Sequence, residues 1–558
     1  EFINRQGTGS HVDQQGVGFD PNNPARAIVV NDGGAYSTMF SGGANGSVSV
    51  TGPLNATLGV TQFYHADWHP INPDIMLGGT QDNSTALSQG DLFNWQVKIG
   101  GDGMSVGIVD EAPQVMYGST QEVGSIWRST NGGTGFGNIN PGPPDYADGF
   151  GGDVKPWKTI LYADPILEAV PFADASTATP RTAPVVFVGT DRLWRHGLAD
   201  KDMDMSLWTE RLGGTVLTNG TQGAFVTCIQ VVPVVQSHPN NPFKQIVTGN
   251  VVYVGSSDGA VWMTLNAVRT GKLDANGVPV FVTSTSADVT WQKLNAPAVG
   301  TQLPAGSVGA ISVNPFDPFD VIVGIGGSGN AHVWRCANTR SAWNTPQTPW
   351  IWTPQSGFQG TPTALPDAIV VGITRDPQDP QNTYFVATDY GVFGTADGGS
   401  TWADIGRAKG LPNVEVTTIE AVPATGYLNL ATYGRGIWRI PLVDKSGFAL
   451  EVNAGVQRVG GSLDASVSVV NNSPLDADNV RITQASMRTE RTNVNVNTST
   501  ALPRALGNLP SLSSNNATLR FTNGALTSGT FVNLKVTIQC EVNGDIRTVV
   551  RTFRLRVP

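Results

Sequence analysis

Two glycine-framed aspartates combine residue type and spacing in a way that chemistry would need. Asp82 sits in Gly78-Gly-Thr-Gln-Asp-Asn83, and Asp102 sits in Gly100-Gly-Asp-Gly103. Two carboxylates across a cleft hydrolyse a glycosidic bond when one has a raised pKa and acts as acid while the other is base or nucleophile. Asp153, in the irregular stretch 150–154, is a third candidate for that role. The plainer task for all three is to bond back to the backbone of glycine-rich turns. Residues that would complete a ligand site are Gln81 and Asn83 beside Asp82, Arg192 after Asp191, Tyr390 after Asp389, and the pair Tyr433 and Arg435. Most of these follow directly on an apolar run. They are expected on loops at one end of the fold, around the mouth of a central channel that would hold a sugar, a peptide or a metal ion.

Other chemistries find less support. Asp200, Asp202 and Asp204 alternate as oxygen ligands do in some calcium loops, which makes calcium a possible ligand. The glycine and distal glutamate of a full twelve-residue loop are missing there. His11, His65 and His69 lack compact zinc spacing. There is no phosphate-binding loop, serine elbow or cofactor signature, so no cofactor beyond calcium is expected. Cys228, Cys336 and Cys540 are too scattered for a disulfide framework or a metal knuckle and read as buried, inert thiols.

The elements that must position these residues announce themselves by repetition. A phrase recurs: apolar strand, Gly or Ala, Thr or Ser, one or two polar residues, Gly, aromatic. Clear copies are VVFVGTDRLW (185–194), VVYVGSSDGAVW (251–262), TYFVATDYGVF (383–393) and LNLATYGRGIW (428–438). Further copies start at Ala25, Asp74, Gln114 and Val321, making eight. Each reads as strand, tight turn, returning strand. Spacings of about 40 to about 70 residues fit units of about four short strands. Proline-rich lead-ins such as HPINP (69–73) and DPQDP (376–380) read as rigid turns between the first and second strands of a unit. Trp95, Trp208, Trp291, Trp352 and Trp402 read as outer-strand residues covering the seams between units. The expectation is an all-β chain with a seven- or eight-bladed β-propeller, eight favoured, followed by a C-terminal β-sandwich. Residues 1–11 would supply a strand to complete the last blade.

Composition sets outer limits. The 558 residues exceed one ordinary core and suit a propeller plus a small domain. Charged residues are only 14% and the net charge is −10, with no Lys/Arg cluster, which argues against nucleic acid. No apolar run is long enough to span a membrane. The chain begins Glu1-Phe2-Ile3 and is expected to be a fragment or processed product, which leaves room for a signal upstream. The polar, low-charge profile suits an extracellular or cell-surface protein.

After Pro441 the phrase stops. The expected organisation is a propeller over 1–441, a joint at 442–447, and an immunoglobulin-like sandwich over 448–558. In the last segment LDASVSVV (463–470), FVNLKVTI (531–538) and VVRTFRLRV (549–557) alternate at period two, as half-buried strands do. Arg551, Arg554 and Arg556 make part of the final strand basic, which suits a solvated face or a docking surface.

The string TADGGSTW (395–402) resembles the Asp-box or BNR repeat, with a less complete copy at Ser129-Thr-Asn-Gly-Gly133. Residues of roughly 11–440 resemble the broad superfamily of BNR, sortilin-like and xyloglucanase-like propellers, and VSVVNNSPLDADNV (467–480) resembles bacterial immunoglobulin-like surface modules. The resemblance implies a fold more than an activity, and it implies that Asp397 serves its own turn. A sialidase would need an arginine triad and a Tyr–Glu pair, which cannot be assigned. Xyloglucan hydrolases set two propellers face to face, whereas one is expected here. Two readings follow. The first is a non-catalytic binding or structural scaffold, with a surface protein as partner or self-assembly. The second is a secreted glycoside hydrolase or carbohydrate-binding protein acting on a polysaccharide through paired aspartates.

Overall fold

The computed structural model describes residues 11–558 apart from 43–45, 56–57, 91–93, 142–149, 151, 166–167, 171–180, 198–207, 210, 239–240, 274–278, 284–285, 296–300, 341–349, 423–425, 443–449, 472–474, 490–494, 523–527 and 543–544. The architecture is all-β and propeller-like, built from many small antiparallel sheets. Sheets I to VIII span residues 14–53, 63–99, 103–138, 160–209, 226–293, 308–354, 370–404 and 416–441. Sheet VIII has three strands and the other seven have four. No helix among the described residues is long and apolar enough to cross a membrane.

Each of the eight phrase copies forms the second and third strands of one sheet. The repeated turn works because Thr or Ser turns its hydroxyl back onto the hairpin. Thr80 Oγ1 donates to the Ser84 carbonyl at 2.7 Å, and Thr432 Oγ1 donates to the Gly436 carbonyl at 2.7 Å. The phrase is therefore not the innermost strand. That place belongs to the strand before it: Phe63–Trp68, Gly103–Ile108, Ile160–Ala163, Val226–His238, Val308–Asn314, Val370–Arg375 and Val416–Val422. Each of these packs against the next in order, and Val416–Val422 packs against Phe63–Trp68. All seven contribute to the wall of one cavity of about 540 Å³.

These first strands are splayed rather than hydrogen-bonded as a ladder, so their edge groups need other partners. Side chains supply them. His65 Nδ1 accepts the Val106 N–H at 3.3 Å and Asp67 Oδ2 accepts the Ile108 N–H at 2.6 Å. Thr374 Oγ1 accepts the Ala421 N–H at 3.2 Å. The seam between the last sheet and the first of the seven is laced alike: Thr418 Oγ1 accepts the Ala66 N–H at 3.3 Å, and Thr417 Oγ1 donates to the Phe63 carbonyl at 2.8 Å.

Sheet I differs from the other seven sheets. It contributes no strand to the cavity wall. Its first strand, Gln14–Asp20, has two glycines and no buried residue, whereas Gly103–Ile108 is buried at every position. Sheet I instead leans on the 81–83 turn through His11 Nε2 and the Asp82 carbonyl (2.8 Å) and through Asn83 Nδ2 and the Asp32 carbonyl (2.8 Å). The strand expected from residues 1–11 to complete the last unit falls, except for His11, outside the described residues.

The tryptophans do cover seams. Trp208, in an outer strand, and Trp291, Trp352 and Trp402, each just before one, donate an indole N–H to a carbonyl belonging to the preceding sheet or the segment that follows it. Trp208 reaches Ile139 at 2.6 Å, Trp291 reaches Leu212 at 2.8 Å, Trp352 reaches Leu294 at 2.9 Å and Trp402 reaches Gln355 at 2.9 Å. The indole thus pairs a large apolar area with one directed bond.

Residues 450–556 form an eight-stranded antiparallel sheet around a core of their own, including Leu463, Leu519, Phe521, Leu534 and Ile538. This sheet touches the rest of the chain through Lys535 and Arg551. Lys535 Nζ lies 3.0 Å from Asn72 Oδ1 and 3.5 Å from Asp74 Oδ2, and Arg551 lies over the Tyr427 ring at 5.0 Å.

Candidate functional site

Antiparallel order sends the second-to-third turns and the fourth-to-first connections to the same end of the sheets. Residues 81–84 join Ile75–Thr80 to Thr85–Gln89, and residues 100–102 join Trp95–Ile99 to Gly103–Ile108. Asp82 (φ 55°) and Ser84 (φ 74°) take the left-handed conformation that this tight turn requires. The Asp82 N–H donates to Asp102 Oδ1 at 2.6 Å, so the two glycine-framed loops meet. Burial, then the charges of Asp102 and Asp32, push the Asp82 carboxyl above its ordinary value. Gln81 is fixed by its own N–H to the Gln62 carbonyl at 3.0 Å, while its buried Oε1 has no partner. Asn83 bonds the carbonyls of Asp32 and Gln81.

The turn at 433–436 reaches the same face. Tyr433 packs against Tyr64 with ring centroids 5.6 Å apart, and its N–H donates to the Glu415 carbonyl at 2.9 Å. Its phenol is raised by burial first, then by Tyr64, with Glu415 and Asp82 also acting on it. Arg435 folds onto the Gly434 carbonyl at 2.6 Å, and its own carbonyl accepts the Trp438 indole at 2.8 Å. A second cavity of about 670 Å³ opens beside these residues, between sheet I and sheet II. Asn83, Arg435, Trp95, Val97, Leu58 and Ile437 are among its lining residues.

The remaining candidates sit in local networks. Asp153 is buried and accepts from Thr190 Oγ1 (2.9 Å), Arg192 Nη1 (3.0 Å), Trp194 Nε1 (3.0 Å) and Arg211 Nε (3.1 Å). Every one of those donors lies within residues 190–211, so this carboxylate ties a strand and its flanking loops together. Arg192 is held by the same Asp153 and by Asp191 at 2.9 Å. Tyr390 stands edge-on to Phe393 at 5.7 Å. Asp200, Asp202 and Asp204, the calcium candidates, lie outside the described residues. No group of three or more His, Cys, Asp or Glu side chains among the described residues could hold a metal ion. The three cysteines are free, and burial pushes their thiols up to about 12 for Cys228 and about 11 for Cys336 and Cys540.

Sequence reasoning missed the residues inside the first cavity. Lys158, lowered by burial to about 8, and His65, lowered by burial and by Lys158 to about 3, lie on its wall. Glu415 is raised by burial against the pull of Lys158. Glu415 thereby connects the Tyr433 turn to the cavity. Deeper in, Asp67 is pushed by burial to about 7 and Asp110 to about 6, and burial lifts Glu420 well above its ordinary value. The available signal was a charged residue inside an otherwise apolar or small strand, as in FYHADW and VTTIEAV.

No protein-family model matches the chain, and no curated protein matches it. Among solved structures, YCF48 from Cyanidioschyzon merolae is similar at 10% identity, covering 70% of this chain and 98% of its own, with a TM-score of 0.37. The GH74 xyloglucanase from Xanthomonas campestris is similar at 13% identity, covering 95% and 84%, with a TM-score of 0.32. An ancestral GH74 enzyme is similar at 12% identity, covering 97% and 79%, with a TM-score of 0.21. These are weak and distant likenesses.

Proposed function

We propose that this chain is a carbohydrate-binding protein of propeller type, with a ring of seven sheets and a ligand face formed by the 81–84, 100–102 and 433–436 loops. The observation that carries this reading is the convergence of the Tyr64–Tyr433 aromatic pair with Asp82 and Asp102. Sugars are bound by aromatic faces for their C–H surfaces and by carboxylates and amides for their hydroxyls. Gln81, Asn83 and Arg435 complete the polar set, with the Trp95 groove alongside. Asp153, Arg192 and Tyr390 are structural in this reading. Two domains, 1–441 and 448–558 joined by 442–447, fit the fact that each cluster of buried core residues comes wholly from one side of that joint. The seven-membered ring is supported by the packing of Val416–Val422 on Phe63–Trp68. An extracellular or cell-surface location belongs to the same proposal.

Binding without catalysis is the first reading, with Asp102 Oδ1 accepting the Asp82 N–H and so tying the two loops together. Hydrolysis is the second reading, and the raised Asp82 carboxyl is the observation on its side. A glycan-array screen of the intact chain, followed by calorimetry on the best glycan, tests both. Tyr433→Ala is expected to weaken binding about ten-fold or more, the loss of one stacking contact. No glycan bound by the intact chain, or unchanged binding by Tyr433→Ala, overturns the proposal. Turnover of the bound glycan that is lost in Asp82→Asn selects the hydrolase.

A further inference from the structure

Arg375 lines the first cavity, but its guanidinium is paired with Asp320 at 3.0 Å, and the acidic end of that cavity is separate from the loop face. Asp67, Asp110 and Glu420 line it, with Tyr162 and Gln230 on the same wall. The charges acting on the three carboxyls are acidic: Asp110 on Asp67, Glu111 on Asp110, and both Asp67 and Asp110 on Glu420. Lys158, on the same cavity wall, acts on Glu415 and His65 instead. Asp67 is additionally anchored by the N–H groups of Trp68 (2.8 Å) and Ile108 (2.6 Å), leaving one lone pair on each oxygen.

A second, independent observation lies beside Glu420, one strand out from the cavity wall. Asn429 is fully buried, yet neither its Oδ1 nor its Nδ2 has a partner. It is the cross-strand partner of Glu420, so both side chains project from one face of sheet VIII. Trp68, packed into the same seam with Val422 and Ala431, also leaves its indole N–H unpartnered. Buried amides and indoles are normally satisfied, and an unsatisfied one costs about 1–3 kcal/mol.

We propose that the axial cavity binds a small organic ammonium ligand at Asp67, Asp110 and Glu420, with the Asn429 amide taking a further polar group of that ligand. A compact metal ion fits less well, since no three such side chains among the described residues come close enough to coordinate one. Carboxylates spread along a wall suit a ligand several ångströms long, and about 540 Å³ is room for one.

The test is calorimetry and thermal shift on the full chain at pH 8, using putrescine as the probe. 1,4-Butanediol is the neutral control, and sodium chloride at matched ionic strength controls for screening. Putrescine should bind and raise Tm, while 1,4-butanediol should not. Asp110→Asn/Glu420→Gln keeps the Asp67 latch and should weaken binding at least ten-fold. Asp82→Asn, at the other end of the sheets, should leave it unchanged. No ammonium binding beyond the salt control, or equal binding by Asp110→Asn/Glu420→Gln, overturns the proposal. Should that double variant fail to fold by circular dichroism, Glu420→Gln alone is read by the same criterion. Glycan binding at the loop face is scored separately, so either proposal can fail without the other.

Discussion

Arg551 of the C-terminal sheet lies 5.0 Å from the centre of the Tyr427 ring, and Arg439 approaches the same ring at 5.7 Å. One tyrosine thus receives a cation from its own sheet and one from the C-terminal sheet. Lys535 adds its contacts with Asn72 and Asp74 nearby. Part of the basic final strand is therefore a docking surface, although a basic strand more often simply faces water.

Lys535→Glu/Arg551→Glu should separate the two units without unfolding either. Each lost contact is worth about 0.5–1 kcal/mol at a partly exposed site. The radius of gyration by small-angle scattering should rise while the far-ultraviolet circular dichroism stays unchanged. An unchanged radius would mean that other contacts hold the units together.

Asp320 should be among the costliest residues to remove. It is buried, bonded by Arg335 Nη2 at 2.8 Å and Arg375 Nη2 at 3.0 Å, and takes Asn314 Nδ2 at 3.1 Å. The arginines hold its carboxyl down at about 2 against burial, which opposes them. A depressed folded value contributes stability above the unfolded value of 3.8, and that stability is lost as pH falls through about 2. Asp320→Ala leaves two arginines facing a void and is expected to cost about 3–5 kcal/mol by urea unfolding at pH 7.

Glu420→Gln should act in the opposite sense. A carboxyl raised in the folded state binds protons that the unfolded chain has released. Stability is therefore lost as pH rises from about the unfolded value of 4.5 upward. Glu420→Gln should be more stable than the parent at pH 8 and little different from it at pH 4. Thermal unfolding at both pH values measures the difference. Equal effects at the two would show that Glu420 is not held protonated.

Asp397 should be a local stability residue with no part in binding. It accepts Thr395 Oγ1 (2.8 Å), the Thr401 N–H (2.9 Å) and Thr401 Oγ1 (2.7 Å). Burial opposes them, but together these bonds pull its carboxyl below the ordinary value. Asp397→Ala should lower stability by about 1 kcal/mol and leave glycan binding intact. A loss of binding at unchanged stability would place this turn in the site.

The same turn shows what the sequence could reveal. Asn131 replaces Asp397's role beside Ser129, with Ser129 Oγ donating to Asn131 Oδ1 at 2.9 Å and the Gly135 N–H at 3.0 Å. Asn266 beside Thr264 does so again at 2.7 Å, but its partner Thr290 lies beyond an inserted hairpin, so no contiguous string advertises it. Local turn chemistry was legible, and all eight phrase copies became paired strands. The lead-ins marked where first strands end, but the partners of those strands across the cavity wall lie up to about 350 residues away. Neither the seven-membered cavity wall nor the Asp67–Glu420 relation could be read from spacing. Asp82 and Asp102 could be paired because one short sheet edge separates them. Asp153 differs in that its partners Arg192 and Arg211 are distant in sequence and fix its use only once packed.

Thr417 and Phe63 are bonded across 354 residues. Until the ribosome has delivered the Val416–Val422 strand, the seam side of Phe63, Ala66 and Trp68 has nothing to cover it. Nascent chains would hold that apolar edge open through most of synthesis, at the stage when intermolecular pairing competes with folding. A host expressing this protein well must therefore either translate the intervening sheets quickly or shield the open edge with a chaperone.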